Sequence, residues 1–282
     1  MVTLPRALDH PGLRLTEAEL LALRPPAHTA RLRPASRRPG ALPARISGQG
    51  IDLREIRAFA DGDDPRRIDP AASARTGHLH VRSFHEDRDD STLLIADFRR
   101  PMLWGTGTAL RSVRAARHLA MLGWRAIDRG GSVGLLVAGD AAPASLAASA
   151  GQAQMRQLAR LLTHSHDLAL VRQTDHGPAS LAPVLALALR QSSAGGRVHL
   201  ATGPEALAGI EPALGQLARS RRVEIHLILD PAETQPPRPA LAVTDGAASR
   251  FGRIAALDPQ PLLAHLRKLG ATPHLVWPDD AG

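Results

Sequence analysis

The sequence predicts a doubly wound α/β domain with a mostly parallel sheet over residues 91–282, with a small irregular and β-containing region at 1–90 packed on it. Two observations predict this fold. Four short, largely apolar runs at 93–96, 132–138, 197–201 and 223–229 are continuous rather than alternating, as strands buried on both faces require. Segments with helical spacing separate them, so right-handed crossovers would cover both faces of a parallel sheet with helices. The first run ends at Asp97 and breaks into a loop. In an open α/β sheet the crevice beyond the strand ends is where ligands bind, which makes Asp97 a candidate site residue.

The elements follow in order. Residues 16–23 suit a helix with Thr16 as N-cap and Glu19 at capping-box spacing, stopped by Pro25 and Pro26. Residues 27–50 lack periodicity and suit an extended arm, whose Arg31, Arg33, Arg37, Arg38 and Arg45 either meet an acidic partner or stay solvated. Ile51, Leu53, Ile56 and Phe59 are apolar anchors before a turn cluster at 61–65. Residues 78–84 alternate like a half-exposed strand, closed by Glu86, Asp87, Asp89 and Asp90. His78 and His80 share a strand face at a spacing zinc sites use, but with no third ligand nearby they are expected to be surface histidines. Residues 108–129 form a long helix with the core stripe Leu110, Val113, Ala116, Ala120, Trp124 and Ile127, ended by Gly130 and Gly131. Further helices are expected at 151–162, 181–191, 204–220 and 261–269, a hairpin around Asp245 and Gly246, and an edge strand at 274–277.

Composition bounds the function. The chain has 282 residues, a formal charge of +8, no cysteine and 44% hydrophobic residues. Disulfides, thiolate metal sites and cysteine nucleophiles are excluded. The basicity is almost all arginine and is interrupted by an acidic stretch at 51–90; with four Phe, three Trp and no Tyr, a base-stacking platform for nucleic acid is not expected. No apolar run reaches the roughly 18 residues of a membrane helix, and the first residues lack a signal-peptide pattern, so a soluble cytoplasmic protein is expected.

Three segments carry a resemblance: GQGIDLREIRAFADGDDPRRIDPAASARTGHLHVRSFHEDRDD, then LLIADFRRPMLWGT, then LILDPAE near Asp230. Together the chain resembles domain-of-unknown-function family 58, whose members are similar to von Willebrand factor A domains. Many are encoded beside MoxR-type AAA+ ATPases. The resemblance implies an adaptor role in assembling or maturing another protein complex; some members carry two N-terminal membrane helices, and this chain is expected to be the short soluble form. It also implies a metal-ion-dependent adhesion site, in which an Asp and two Ser of D-x-S-x-S, a Thr and a second Asp hold Mg²⁺. Asp97 matches the first Asp, but the serine positions fall on Arg99 and Pro101. Ser180 or Thr174 stands for the threonine, and the second Asp falls near Thr202 and Gly203. A hard divalent ion needs a cage of oxygen ligands. No metal is therefore expected here, with Asp97 and Ser180 the remaining Mg²⁺ ligands if any survive.

Instead, Arg99 or Arg100 is expected to pair with Asp97 and receive a partner carboxylate bidentately, in a protein-binding cleft that includes Met102, Ser180 and Thr202. The signature has Pro70 where the family has Trp. It keeps Asp63, Asp64, Arg66, Asp69, Ser73 and Arg75, expected to form a charge network pinning the N-terminal region to the body. The competing readings are a metal-dependent hydrolase using Asp97, Asp140, Asp230 or the 163–167 THSHD group, and a nucleic-acid-binding protein. No Walker, nucleophile-elbow, dinucleotide or zincin motif supports catalysis.

Overall fold

A computed structural model describes residues 5–25, 53–60, 63–84, 91–172, 179–244 and 249–278. In chain order, α1 (Glu17–Ala22) precedes β1 (Leu53–Ala58), α2 (Pro70–Thr76) and β2 (His80–Phe84). Next come β3 (Ser91–Asp97), α3 (Arg111–Asp128), β4 (Ser132–Ala138), β5 (Ala144–Ala150), α4 (Gln152–Val171) and α5 (Ala182–Gln191). The chain continues through β6 (Arg197–Thr202), α6 (Glu211–Ala218), β7 (Arg222–Ile228) and α7 (Pro231–Thr234). It closes with β8 (Leu241–Thr244), β9 (Ser249–Gly252), α8 (Gln260–Lys268) and β10 (Thr272–Val276). Two compact units result, Met1–Pro26 with Asp90–Gly282, and Ala27–Asp89. The first 26 residues thus group with the α/β body rather than with the region that follows them. The reason is apolar burial: Leu15 and Leu20 enter the body's core, and the Trp124 indole donates to the Leu20 carbonyl at 3.3 Å.

The body is a mixed α/β structure around a six-stranded sheet ordered β10-β7-β6-β3-β4-β5. All neighbours are parallel except β5, which runs antiparallel to β4. Every residue of β3 is buried, as its unbroken apolar run requires. Successive side chains of a strand point to opposite faces. Leu94 and Ala96 accordingly join a core with α1, α3 and α4, whereas Leu93 and Ile95 join a second core with α5, α6 and α8. Fully burying each such Leu or Ile stabilises by about 1.5–3 kcal/mol. Among the described residues no helix is long and apolar enough to cross a membrane.

Three elements depart from the sequence expectation. The helix expected at 204–220 is a 3₁₀ turn at Pro204–Leu207 and a separate α6, because Gly209 takes φ 76° and breaks the run. The helix expected at 151–162 continues to Val171, so THSHD lies inside α4 rather than at its end. Its polar residues are accommodated locally: Thr163 donates back to the Ala159 carbonyl at 2.6 Å, and His166 is buried against Ser112 at 2.8 Å and the Phe98 ring. Strand β5, ASLAASA, has no expectation behind it, since small residues on an exposed edge give no hydrophobic pattern.

The second unit pairs β1 with β2 antiparallel, with a register shift between Leu53 and Glu55. Here the expected charge network is mostly a set of helix caps. The Asp69 side chain accepts from the Ala72 N–H at 2.8 Å to start α2, and Asp64 accepts from Arg66 N–H at 3.0 Å to start a 3₁₀ turn. Ser73 Oγ donates to the Asp69 carbonyl at 2.7 Å and accepts from the His80 N–H at 2.9 Å. Asp63 does pair, with Arg57 at 2.5 Å, and that side chain with the Ala60 N–H holds its carboxyl below the usual range. Arg66 and Arg75 are exposed. A carboxylate just before a proline that opens a helix is placed to cap it, which explains the spacing. Asp69→Ala is expected to cost about 1 kcal/mol of stability, within the 0.5–2 kcal/mol of N-cap losses, measured by urea unfolding. The arginines of 27–50, Ile51, Asp52, Asp61, the acidic group at 86–90, Thr174, Asp245 and Gly246 lie outside the described residues.

Candidate functional site

The candidate site lies at the carboxyl ends of β3 and β6. Asp97 is the last residue of β3 and is 0% exposed. A carboxylate in such surroundings must be paired and hydrogen-bonded. Arg99, two residues on and 4% exposed, supplies the charge: its Nε donates to Oδ1 at 2.8 Å and its Nη2 to Oδ2 at 2.7 Å. The Arg99 backbone N–H reaches Oδ1 at 3.1 Å, and the Thr202 hydroxyl donates to Oδ2 at 2.6 Å. Four donors therefore fill the carboxylate.

The guanidinium reaches further. Nη1 donates to the Ala179 carbonyl at 2.5 Å, and Nη2 to the Ala206 carbonyl at 3.4 Å. One cation thus joins three loops, those after β3, before α5 and after β6. Asp140 adds a second tie, accepting from the Arg100 N–H and the Ala179 N–H, each at 3.2 Å. Arg99 has spent most of its N–H groups and is buried, so it cannot present a bidentate fork to a partner carboxylate, contrary to expectation. Nor do the residues fit Mg²⁺. The carboxylate's acceptor sites are occupied by donors, and a guanidinium beside a divalent cation would repel it.

The other expected partner-binding residues separate into two groups. Met102 and Thr202 are 0% exposed, so neither forms a surface: Met102 fills the core of the α3 face and Thr202 serves Asp97. Arg100 and Ser180 are exposed, the Ser180 hydroxyl also accepting from the Ala182 N–H at 3.1 Å. Other charged side chains of the body are held by ion pairs or hydrogen bonds. Arg111, 0% exposed, pairs with Glu205 and Glu233 and lies 4.3 Å from the Trp104 ring centre. Asp230 accepts from the Thr106 N–H at 2.9 Å and hydroxyl, and caps α7. Arg114 donates to the Leu229 carbonyl and, at 2.5 Å, to that of Trp277. In α4, Asp167 pairs with Arg14 at 3.1 Å. The candidate hydrolase acids are thus held in separate structural contacts.

His78 and His80 do not converge as ligands, since His80 Nδ1 faces the Thr76 hydroxyl at 3.1 Å and the His78 carbonyl at 2.9 Å. A different group, absent from the sequence expectations, does converge: His118, His199, Glu224, His226 and His274, on the side of β6, β7 and β10 that faces α3. Burial lowers the His199 pKa, and burial with the nearby His118, His199 and His274 lowers that of His226 to about 2. The pattern V-E-I-H-L-I, which puts Glu224 and His226 on one strand face, was the available signal.

A family described as "Protein of unknown function DUF58" matches residues 55–198. Uncharacterized proteins of Mycobacterium bovis and Mycobacterium tuberculosis are 28% identical over 216 residues, covering 76% of this chain and 66% of theirs. The chain therefore spans slightly less than two thirds of those relatives, at 66% of their length. Among solved structures, the conserved hypothetical protein BatB from Bacteroides thetaiotaomicron is similar, with TM-score 0.45 and 16% identity over 66% of this chain and 89% of that one. An aerotolerance-related membrane protein from Bacteroides fragilis gives TM-score 0.42 and 14% identity over 67% of this chain and 92% of that one.

Proposed function

The chain belongs to the DUF58 family, and we propose that it is a non-catalytic, cytoplasmic protein-interaction module with a von Willebrand factor A-like doubly wound fold. Its partner is a MoxR-type AAA+ ATPase, with which it assembles or matures a protein complex. The observation that carries this reading is the Arg99 guanidinium, which contacts Asp97, Ala179 and Ala206 on the loops after β3, before α5 and after β6. Those loops are the ones where a metal-ion-dependent adhesion site would gather its ligands. A fixed guanidinium performs the cation's structural task, holding the loops in one arrangement without exchange with solvent. The docking surface is then the exposed outer side of these loops, including Arg100 and Ser180.

The test is affinity capture on the immobilised intact chain from a lysate of the source cells. An AAA+ ATPase is expected in the captured material and is expected to survive a wash free of divalent cations. Its absence from the capture contradicts the interaction reading, and its release by that wash contradicts the guanidinium's role.

A further inference from the structure

The histidine cluster of β6, β7 and β10 plays no part in the proposed interaction, and its geometry is that of a ligand set. Parallel register builds it. Glu224 and His226 alternate onto one face of β7, His199 sits beside Glu224 on β6, and His274 sits beside His226 on β10. His199 Nδ1 lies 3.1 Å from His226 Nε2 and 3.6 Å from Glu224 Oε2. One donor atom from each of these three residues lies within 4.8 Å of the others. Tetrahedral zinc with bonds of about 2.0–2.1 Å holds neighbouring donors roughly 3.3–3.4 Å apart. The two closest separations bracket that value.

We propose that His199 Nδ1, His226 Nε2 and Glu224 Oε2 bind Zn²⁺, with its fourth position open to the adjoining cleft. Imidazole nitrogen with one carboxylate suits zinc and disfavours Mg²⁺ and Ca²⁺, which take oxygen ligands. The surrounding contacts orient the set. His118 Nε2 lies 3.0 Å from His226 Nδ1; with zinc on His226 Nε2 the remaining ring proton sits on Nδ1, where His118 accepts it. His274 Nε2 lies 3.1 Å from the same Glu224 Oε2 and fixes the position of the carboxylate. Access is available through a cleft of about 460 Å³ whose lining includes His118, Arg125, Glu224, His226 and His274. Three protein ligands with one open position is the arrangement of zinc sites that keep a bound water.

The experiment is calorimetric titration of the full chain, first stripped of metal with a chelator, with ZnCl₂. A parallel titration with Co²⁺ is followed by visible absorption. One Zn²⁺ per chain and the strong visible bands of four-coordinate Co²⁺ are expected. His118→Gln, which removes the orienting partner, is expected to weaken zinc about 10–100-fold, and Glu224→Gln to weaken it more. Glu224 is part-exposed, so Glu224→Gln is expected to fold, shown by a metal-free urea curve that overlays the parent's. Absence of saturable zinc binding overturns the proposal. So does binding that Glu224→Gln and His226→Gln leave unchanged, which would place the metal on other histidines.

Discussion

Arg99→Ala is expected to destabilise the protein by about 3–5 kcal/mol, because it leaves the Asp97 carboxylate buried and without its countercharge. Asp97 is 0% exposed and accepts two side-chain bonds from Arg99, so the loss combines a charge-assisted fork with an uncompensated desolvation. Arg99→Lys is expected to recover only part of the loss, since an ammonium cannot span Asp97, Ala179 and Ala206 together. The double variant Asp97→Asn with Arg99→Met removes both charges, and is expected to be more stable than Arg99→Ala. Urea unfolding of the parent, of these variants and of the Asp97→Asn and Arg99→Met singles measures this. Single and double losses that simply add would mean that the two residues are not coupled.

The second large effect is with pH. His166 is buried, and desolvation lowers its pKa to about 4, with the nearby Asp167 opposing. In the unfolded chain it titrates near 6.5. Below pH 6.5 the unfolded state takes up a proton that the folded state refuses. Stability is therefore full above about 6.5, falls as the pH drops toward 4, and changes no further through this group below that. Its share of the loss by pH 4 is on the order of 3 kcal/mol. His166→Gln removes the titrating group, so the difference in unfolding free energy between pH 7 and pH 4 is expected to shrink by that amount. An unchanged difference would assign the acid sensitivity elsewhere.

What could be seen in the sequence was set by how local the cause is. Strand β3 was legible because burial on both faces writes an unbroken apolar run. The Thr16 cap was legible too, since its contact with the Glu19 N–H spans three residues. Asp97 and Arg99 stand two residues apart, which made their pairing foreseeable. Thr202, Ala179 and Ala206 were a different matter. They reach the same ion pair only through the register of β6 and the path of two loops.

Burial then reversed the expected use of the site: the arginine anticipated as a partner's receptor is consumed inside. The THSHD stretch misled for a related reason, because the Thr163 hydroxyl bonds back to the helix and His166 is buried against Ser112, so a polar run continues α4. The histidine cluster draws on α3, β6, β7 and β10, four segments whose histidines look unrelated until the sheet sets them side by side.

The most direct measurement is magnesium titration calorimetry on the intact chain, alone and as the Arg99→Ser with Pro101→Ser variant that recreates a D-x-S-x-S loop. On the proposed reading, in which the guanidinium does a cation's structural work, the parent is expected to show no magnesium binding that depends on Asp97. The variant, with the arginine gone and two hydroxyls returned, is expected to gain magnesium binding. Saturable binding by the parent that Asp97→Asn abolishes would contradict the account.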